Sequence, residues 1–144
     1  MFSSAIFIMS AIAVSDVDIR TKRIPDQFIA LPLAFAMAES LTLGWRFALV
    51  RFLESVAILC AFLVFRRLMH GKFGLGDIKL ISASTMAFGV VGVLIEVFFA
   101  SLLGVMWGLL ATKKGARFAF APFLAFGMIV AMLSNPYVHA FLNN

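Results

Sequence analysis

The sequence predicts an all-α polytopic membrane protein with six transmembrane helices and both termini on the non-cytoplasmic side. Hydrophobic residues make up 63% of the 144 residues, and the mean hydropathy is +1.06, whereas a soluble domain is roughly half apolar. The apolar residues form long runs between short polar segments, and the basic residues collect in alternate segments. No repeat or linker divides the chain, so residues 1–144 are expected to form one integral membrane domain.

Hydropathy places the first three spans at residues 1–17, 27–45 and 47–65. A span needs ~20 apolar residues, or fewer when flanking side chains reach the membrane surface. The second span begins after Pro25, with Asp26 as its expected N-cap. The third carries Arg51 and Glu54, and their spacing puts both on one helical face, where they partly neutralise each other.

The long apolar run over residues 78–111 is interrupted only by Lys79 at its start and by Glu96. As a single helix it would be ~51 Å long, well beyond the ~30 Å hydrocarbon core. The run therefore has to break, and "FGVVG" (residues 88–92) is the natural turn. This predicts spans over about 78–89 and 92–111, with a sixth from about 118 to 134, before Asn-Pro-Tyr.

The basic residues test this alternation independently of hydropathy. Ten of the twelve fall in or beside three polar segments that six spans would place on one side of the membrane. They are Arg20, Lys22, Arg23, Arg66, Arg67, Lys72, Lys79, Lys113, Lys114 and Arg117. The opposite side has only Arg46, with Arg51 one helical turn in. The positive-inside rule therefore puts the three segments in the cytoplasm and both termini outside.

The charge and cysteine content exclude several other classes of protein. The net charge is +5, but only 13% of residues are charged, so the basic excess reflects membrane topology and no nucleic-acid partner is expected. The single cysteine, Cys60, cannot close an intrachain disulfide, and no cysteine–histidine set has metal-binding spacing. Cys60 is expected to be a small buried apolar residue.

The segment "GKFGLGDIKL" (residues 71–80) contains the first candidate for chemistry. Gly74 and Gly76 precede Asp77, which starts an apolar helix. Glycine allows positive φ and the close approach of another chain, and a helix N-terminus favours the anion of an aspartate. The pattern suits the binding of an extended peptide backbone, and it equally suits an ordinary loop-to-helix junction.

The second candidate is Asp18, which ends the first predicted span in "DIRTKRIPD". In the predicted topology Asp18 and Asp77 lie at the same membrane face. If the fold brings them together, the two carboxyl groups cannot both ionise easily and share a proton. The ionised member then activates water and the protonated member polarises a peptide carbonyl, with no metal or cofactor. Asp16 is the alternative partner, but it lies ~200° around the helix from Asp18.

Two motifs together resemble those of the type IV prepilin peptidases. The first is Asp18 followed by a basic loop and Ile24-Pro25-Asp26, and the second is G-x-G-D-x-K at residues 74–79. These peptidases are membrane aspartyl proteases that share G-x-G-D with presenilin and the archaeal preflagellin peptidases. The six-helix arrangement is also similar, so the resemblance spans most of the chain, and the spacing to Ile24-Pro25 favours Asp18 over Asp16.

The resemblance implies that Asp18 and Asp77 are the catalytic pair. The other residues that match the motifs are implied to shape the site or bind substrate: Gly74, Gly76, Lys79, Pro25 and Asp26. Asp26 as a helix cap and Lys79 as a lysine reaching the membrane surface remain alternatives. The implied substrates are prepilins or pseudopilins, whose short basic leader is cut at the cytoplasmic face of the bacterial inner membrane. No cofactor or metal is implied.

The chain departs from the larger family members, which carry an N-terminal segment with paired cysteines associated with pilin N-methylation. Here only Cys60 is present, so methyltransferase activity is not expected. The short form is similar to the prepilin peptidases of tight-adherence (Flp) pilus systems.

Two other functions remain open from the sequence. One is a small ion- or proton-coupled transporter, for which acids near mid-membrane and an inverted repeat are typical; the best-placed acids lie at one surface and no repeat is visible. The other is a catalytically silent pilus-assembly partner. Glu39, Glu54 and Glu96 lie in the outer halves of their spans, and their roles also remain open.

Overall fold

A computed structural model of the chain describes residues 2–21, 27–70, 73–110 and 120–142, and the side chains of residues 5–17, 27–70, 73–110 and 120–134. This described part consists of five α-helices without strands. They are α1 (Phe2–Thr21), α2 (Gln27–Leu43), α3 (Trp45–Leu68), α4 (Leu75–Leu110) and α5 (Ala121–Leu142). The all-α prediction is therefore confirmed.

The helix ends differ from the hydropathy-based bounds at both ends of the chain. α1 continues one turn past residue 17 to Thr21, because charged side chains lower hydropathy without ending a helix. α5 continues through Pro136 to Leu142, eight residues beyond the predicted end of the sixth span. Proline fixes φ close to the helical value, so a helix can pass through it at the cost of one hydrogen bond.

α4 contains the predicted turn. Gly89 has φ 71° and ψ 176°, which are not helical values, and divides α4 into a first arm (residues 75–88) and a second arm (residues 90–110). Ser84 Oγ in the first arm lies 2.8 Å from Glu96 Oε2 in the second. In a straight helix, residues with this separation would lie about 18 Å apart along the axis. The arms therefore fold back sharply at Gly89, and the predicted break is confirmed.

The first arm of α4 forms the centre of the helical bundle. α4 packs against each of the other four helices, and every residue from Leu80 to Met86 is buried. α5 crosses the second arm closely, since a Cβ added at Gly127 would collide with the backbone carbonyl of Glu96. The close crossing is typical of helices that pack through small residues in membranes.

α3 and α4 are long and apolar enough to cross a membrane, as judged by length and composition. Shorter apolar helical segments are Ala5–Val17, Gln27–Leu43 and Ala121–Ser134. α3 is mostly exposed and leaves large apolar side chains such as Val64 uncovered, as expected of a helix in contact with lipid. Cys60 on α3 is exposed, so the expectation that it is buried is wrong.

Arg51 of α3 lies against the turn in α4. Its guanidinium occupies the space that a Cβ at Gly89 would need. The predicted pairing with Glu54 is confirmed, because Arg51 Nη1 lies 3.0 Å from Glu54 Oε2. The guanidinium also lies 5.0 Å from the centre of the Phe47 ring. The charge is thus neutralised and partly covered where α3 meets the turn.

Candidate active site

Asp77 lies in the first turn of α4 and is half-buried. Helical spacing places it in one row with Ile81 and Ser84, both fully buried. Its carboxyl group therefore stands at the outer end of a row that continues into the bundle. The unpaired N–H groups and the macrodipole of the helix N-terminus favour the ionised form of an aspartate at this position.

Gly74 supports the Asp77 carboxyl group directly. A Cβ built at Gly74 would lie 2.5 Å from Asp77 Oδ2, which is closer than a carbon and an oxygen can pack. The Gly74 carbonyl accepts a hydrogen bond from the Ile78 amide at 3.3 Å, which closes the first turn of α4. From the sequence, the space beside the glycines was expected to receive a substrate backbone. In the structure, the Asp77 carboxyl group occupies the space that a Cβ at Gly74 would need.

The loop before Gly74 is held by contacts that sequence reasoning did not identify. Arg66 Nε, in the last turn of α3, donates a hydrogen bond of 3.0 Å to the carbonyl of Phe73. The Phe73 ring packs against three other phenylalanine rings, those of Phe62, Phe65 and Phe120. In the sequence, Arg66 was informative only as a basic residue that marks topology.

The second candidate aspartate, Asp18, lies in the last turns of α1, and its side chain is outside the described residues. Pro25 and Asp26 are also outside the described residues. Asp16 is exposed, and so is Lys79 in the first turns of α4, whereas Gly76 is half-buried. The structure does bring α1 into contact with α4.

Glu96 is the acid most deeply enclosed among the described side chains, with no exposed surface. Its Oε2 meets Ser84 Oγ, and its Oε1 has no hydrogen-bond partner in the described part of the chain. Gly127 covers its backbone. The described side chains contain no group of three or more acidic, histidine or cysteine residues that could hold a metal ion.

Comparison with known proteins identifies the family. Residues 5–109 match the type IV leader peptidase family. Over 147 aligned positions the chain is 30% identical to the prepilin leader peptidase/N-methyltransferase of Bacillus subtilis (strain 168). The alignment covers 98% of this chain but 59% of that relative, so the chain spans somewhat more than half of its length. No solved structure matches the chain significantly. Because the family match extends over most of the chain, the protein belongs to the type IV leader peptidase family.

Proposed function

We propose that this chain is an intramembrane aspartyl endopeptidase that removes the short basic leader from prepilin-like substrates at the cytoplasmic membrane face. Residues 1–144 would form one peptidase domain, with the carboxyl groups of Asp18 and Asp77 as its catalytic pair. The observation that carries this proposal is the half-buried Asp77 in the first turn of the central helix α4, which contacts α1. Family membership supports the reaction class.

The helical register of α1 supports Asp18, and not Asp16, as the partner of Asp77. Phe7, Ala11 and Val14 form the fully buried row of α1. Position 18 follows Val14 by four residues in a helix that continues to Thr21, so it belongs to that row. Asp16 is exposed.

The helix ends support different proposed roles for the two carboxyl groups. Asp77 lies at a helix N-terminus, which favours its anion, whereas Asp18 lies near the C-terminus of α1, where the dipole disfavours an anion. We therefore propose that Asp18 carries the proton when the pair shares one. Asp77 takes a proton from water as the water attacks the scissile carbonyl, and Asp18 donates to the carbonyl oxygen.

The substrate's charge and hydropathy fit the proposed site. A basic leader would meet the carboxyl groups, while the apolar helix that follows it would lie in lipid against the exposed bundle surface. Pro25, Asp26, Gly76 and Lys79 are proposed to shape the substrate path. The resemblance described above supports the further proposal that this chain serves a tight-adherence (Flp) pilus system in the bacterial inner membrane and acts on prepilins or pseudopilins.

Leader removal from a co-expressed prepilin tests the proposal. Wild-type protein should convert the substrate to a shorter band on a gel, and Asp18→Asn and Asp77→Asn should each abolish conversion because either loss destroys the pair. Asp16→Asn, which removes the same charge two residues away, should keep activity. Conversion by either single variant would refute the pair.

Measurements of pilus assembly and of ion or proton transport separate the alternative functions. A catalytically silent assembly partner would leave the prepilin uncut but restore pilus assembly in cells in which Asp18 and Asp77 are both replaced. A small ion- or proton-coupled transporter would leave the prepilin uncut and would lose transport when acids of its path, such as Asp18, Asp77 or the buried Glu96, are replaced.

A further inference from the structure

A single loop residue, Phe73, joins the end of α3 to the start of α4 through two independent contacts. Its carbonyl accepts the hydrogen bond from Arg66 Nε at 3.0 Å, in a partly buried position. Arg66 is half-buried, while the neighbouring Arg67 is exposed. The guanidinium of Arg66 therefore makes a hydrogen bond within the fold. A favourable interaction with the dipole of α3 does not require Arg66, because Arg67 also places a positive charge in the last turn of the helix.

The side chain of Phe73 is held separately from its carbonyl. Its ring centre lies 6.0 Å from that of Phe62, 6.3 Å from that of Phe65 and 5.9 Å from that of Phe120. Phe62 and Phe65 belong to α3, and Phe120 immediately precedes α5. These separations lie within the range in which aromatic pairs attract one another. Phe73 is consequently fixed between α3 and the start of α5.

The path from this anchor to Asp77 is short and already constrained. Gly74 follows Phe73, its carbonyl accepts a hydrogen bond from the Ile78 amide, and the position that a Cβ would take at Gly74 lies against Asp77 Oδ2. A shift of the Phe73 carbonyl would displace the acceptor of the first turn of α4 and the surface on which the carboxylate rests. We propose that Arg66 and Phe73 are positioning residues that fix the Asp77 carboxyl group for catalysis; this inference rests on the proposed function.

Four variants separate the hydrogen bond from the charge. Arg66→Met removes both. Arg66→Gln removes the charge but keeps an N–H donor, and this nitrogen lies as many bonds from Cα as Arg Nε does. Arg67→Met and Arg67→Gln make the same changes at the exposed neighbour. All four proteins are purified in detergent alongside wild type and compared at equal folded concentration on a prepilin substrate.

We expect Arg66→Met to lower kcat by about tenfold while KM changes less than about threefold, because Asp77 is misplaced but the substrate path is intact. Arg66→Gln should recover most of the lost kcat, and both Arg67 variants should match wild type. The pH optimum of Arg66→Met should also move, because a misplaced Asp77 no longer shares its proton normally. Equal losses in Arg66→Gln and Arg66→Met, or a similar loss in the Arg67 variants, would show that charge and not position matters.

Amide hydrogen exchange supplies a readout that does not need activity. Peptides covering residues 73–80 should exchange faster in Arg66→Met than in wild type, because the hydrogen bond from the Ile78 amide to the Gly74 carbonyl opens more often. Their exchange should be unchanged in Arg67→Met. If wild-type protein cuts no prepilin but this exchange pattern appears, the proposed function fails and the positioning contact stands. Unchanged exchange in Arg66→Met would overturn the positioning role.

Discussion

Ser84 and Glu96 form a buried hydrogen-bonded pair across the turn in α4. Ser84 Oγ lies 2.9 Å from the Ile81 carbonyl and 2.8 Å from Glu96 Oε2. A hydroxyl group has one proton, and a backbone carbonyl cannot donate. Ser84 can therefore donate either to Glu96 Oε2 or to the Ile81 carbonyl, and in the second case only a protonated Glu96 completes both bonds by donating to Ser84. Full burial in an apolar bundle favours the neutral form of the acid.

The neutral acid predicts how substitutions at Glu96 behave. Glu96→Gln keeps the size, the neutrality and an N–H donor toward Ser84, so the free energy of unfolding should change by less than about 0.5 kcal/mol. Glu96→Ala removes the bond and leaves a cavity, and should cost about 2 kcal/mol or more. Thermal unfolding in detergent, followed by tryptophan fluorescence, measures both. A Gln variant as unstable as the Ala variant would mean that Glu96 is charged.

The sequence was sufficient to single out Asp77 but not its support. Glycine at positions 74 and 76 beside an aspartate at a predicted helix start is a local pattern, so it is visible without a structure. The Arg66–Phe73 bond depends on how the chain turns between α3 and α4, and the packing of Phe73 on Phe120 depends on where α5 begins. Side-chain contacts between distant segments leave no periodic signal in one sequence.

At the scale of elements, the turn in α4 depends on a backbone conformation that only glycine adopts readily. The angles of Gly89 lie in a region that residues with a Cβ almost never occupy. The Arg51 guanidinium fills the space where a Cβ would project. Any residue with a Cβ at position 89 would therefore meet both backbone strain and a collision with the Arg51 side chain.

Gly89→Ala should consequently lower the free energy of unfolding by about 1–3 kcal/mol. Gly108→Ala is the matched control: Gly108 lies in the second arm of the same helix, with no atom within 4 Å of an added Cβ. That change should be neutral or stabilising by up to about 1 kcal/mol, because alanine is the better helix former. Both are measured by thermal unfolding in detergent, and equal effects would contradict the role of Gly89.

The positions of the turns were predictable, whereas the ends of α1 and α5 were not. An apolar run too long for a bilayer has to turn, and a glycine near its middle marks the place. Hydropathy, however, reports where a chain leaves lipid and not where hydrogen bonding stops. α1 therefore continues through Asp18 to Thr21, and α5 continues through Pro136.

At the scale of the whole molecule, the proposed six-span topology predicts which helix ends face the cytoplasm. Leu43, at the end of α2, and Met69, just after α3, are both exposed. Single cysteines at these positions in a Cys60→Ala background allow each end to be labelled separately. Leu43→Cys should react with a membrane-impermeant maleimide added to intact spheroplasts, whereas Met69→Cys should react only after permeabilisation.

The Cys60→Ala parent serves as the blank for this labelling. Prompt labelling of Met69→Cys in intact spheroplasts would place the α3–α4 turn outside, and the proposed cytoplasmic active site would then be wrong. Labelling of neither position before permeabilisation would contradict the assignment of the α2–α3 turn.

The early turn at Gly89 has a consequence for the bilayer around the proposed active site. The first arm of α4, residues 75–88, rises only about 21 Å, ~10 Å short of a typical hydrocarbon core. In the proposed orientation the arm begins at the cytoplasmic side with Asp77 in its first turn, so either the lipid thins locally or the proposed catalytic carboxyl group is recessed below the headgroups. In both cases water would reach a level of the hydrocarbon core at which a substrate helix is otherwise surrounded only by lipid acyl chains. Hydrophobic mismatch, and not a movable lid, would then let the scissile bond leave its helix and meet the nucleophile.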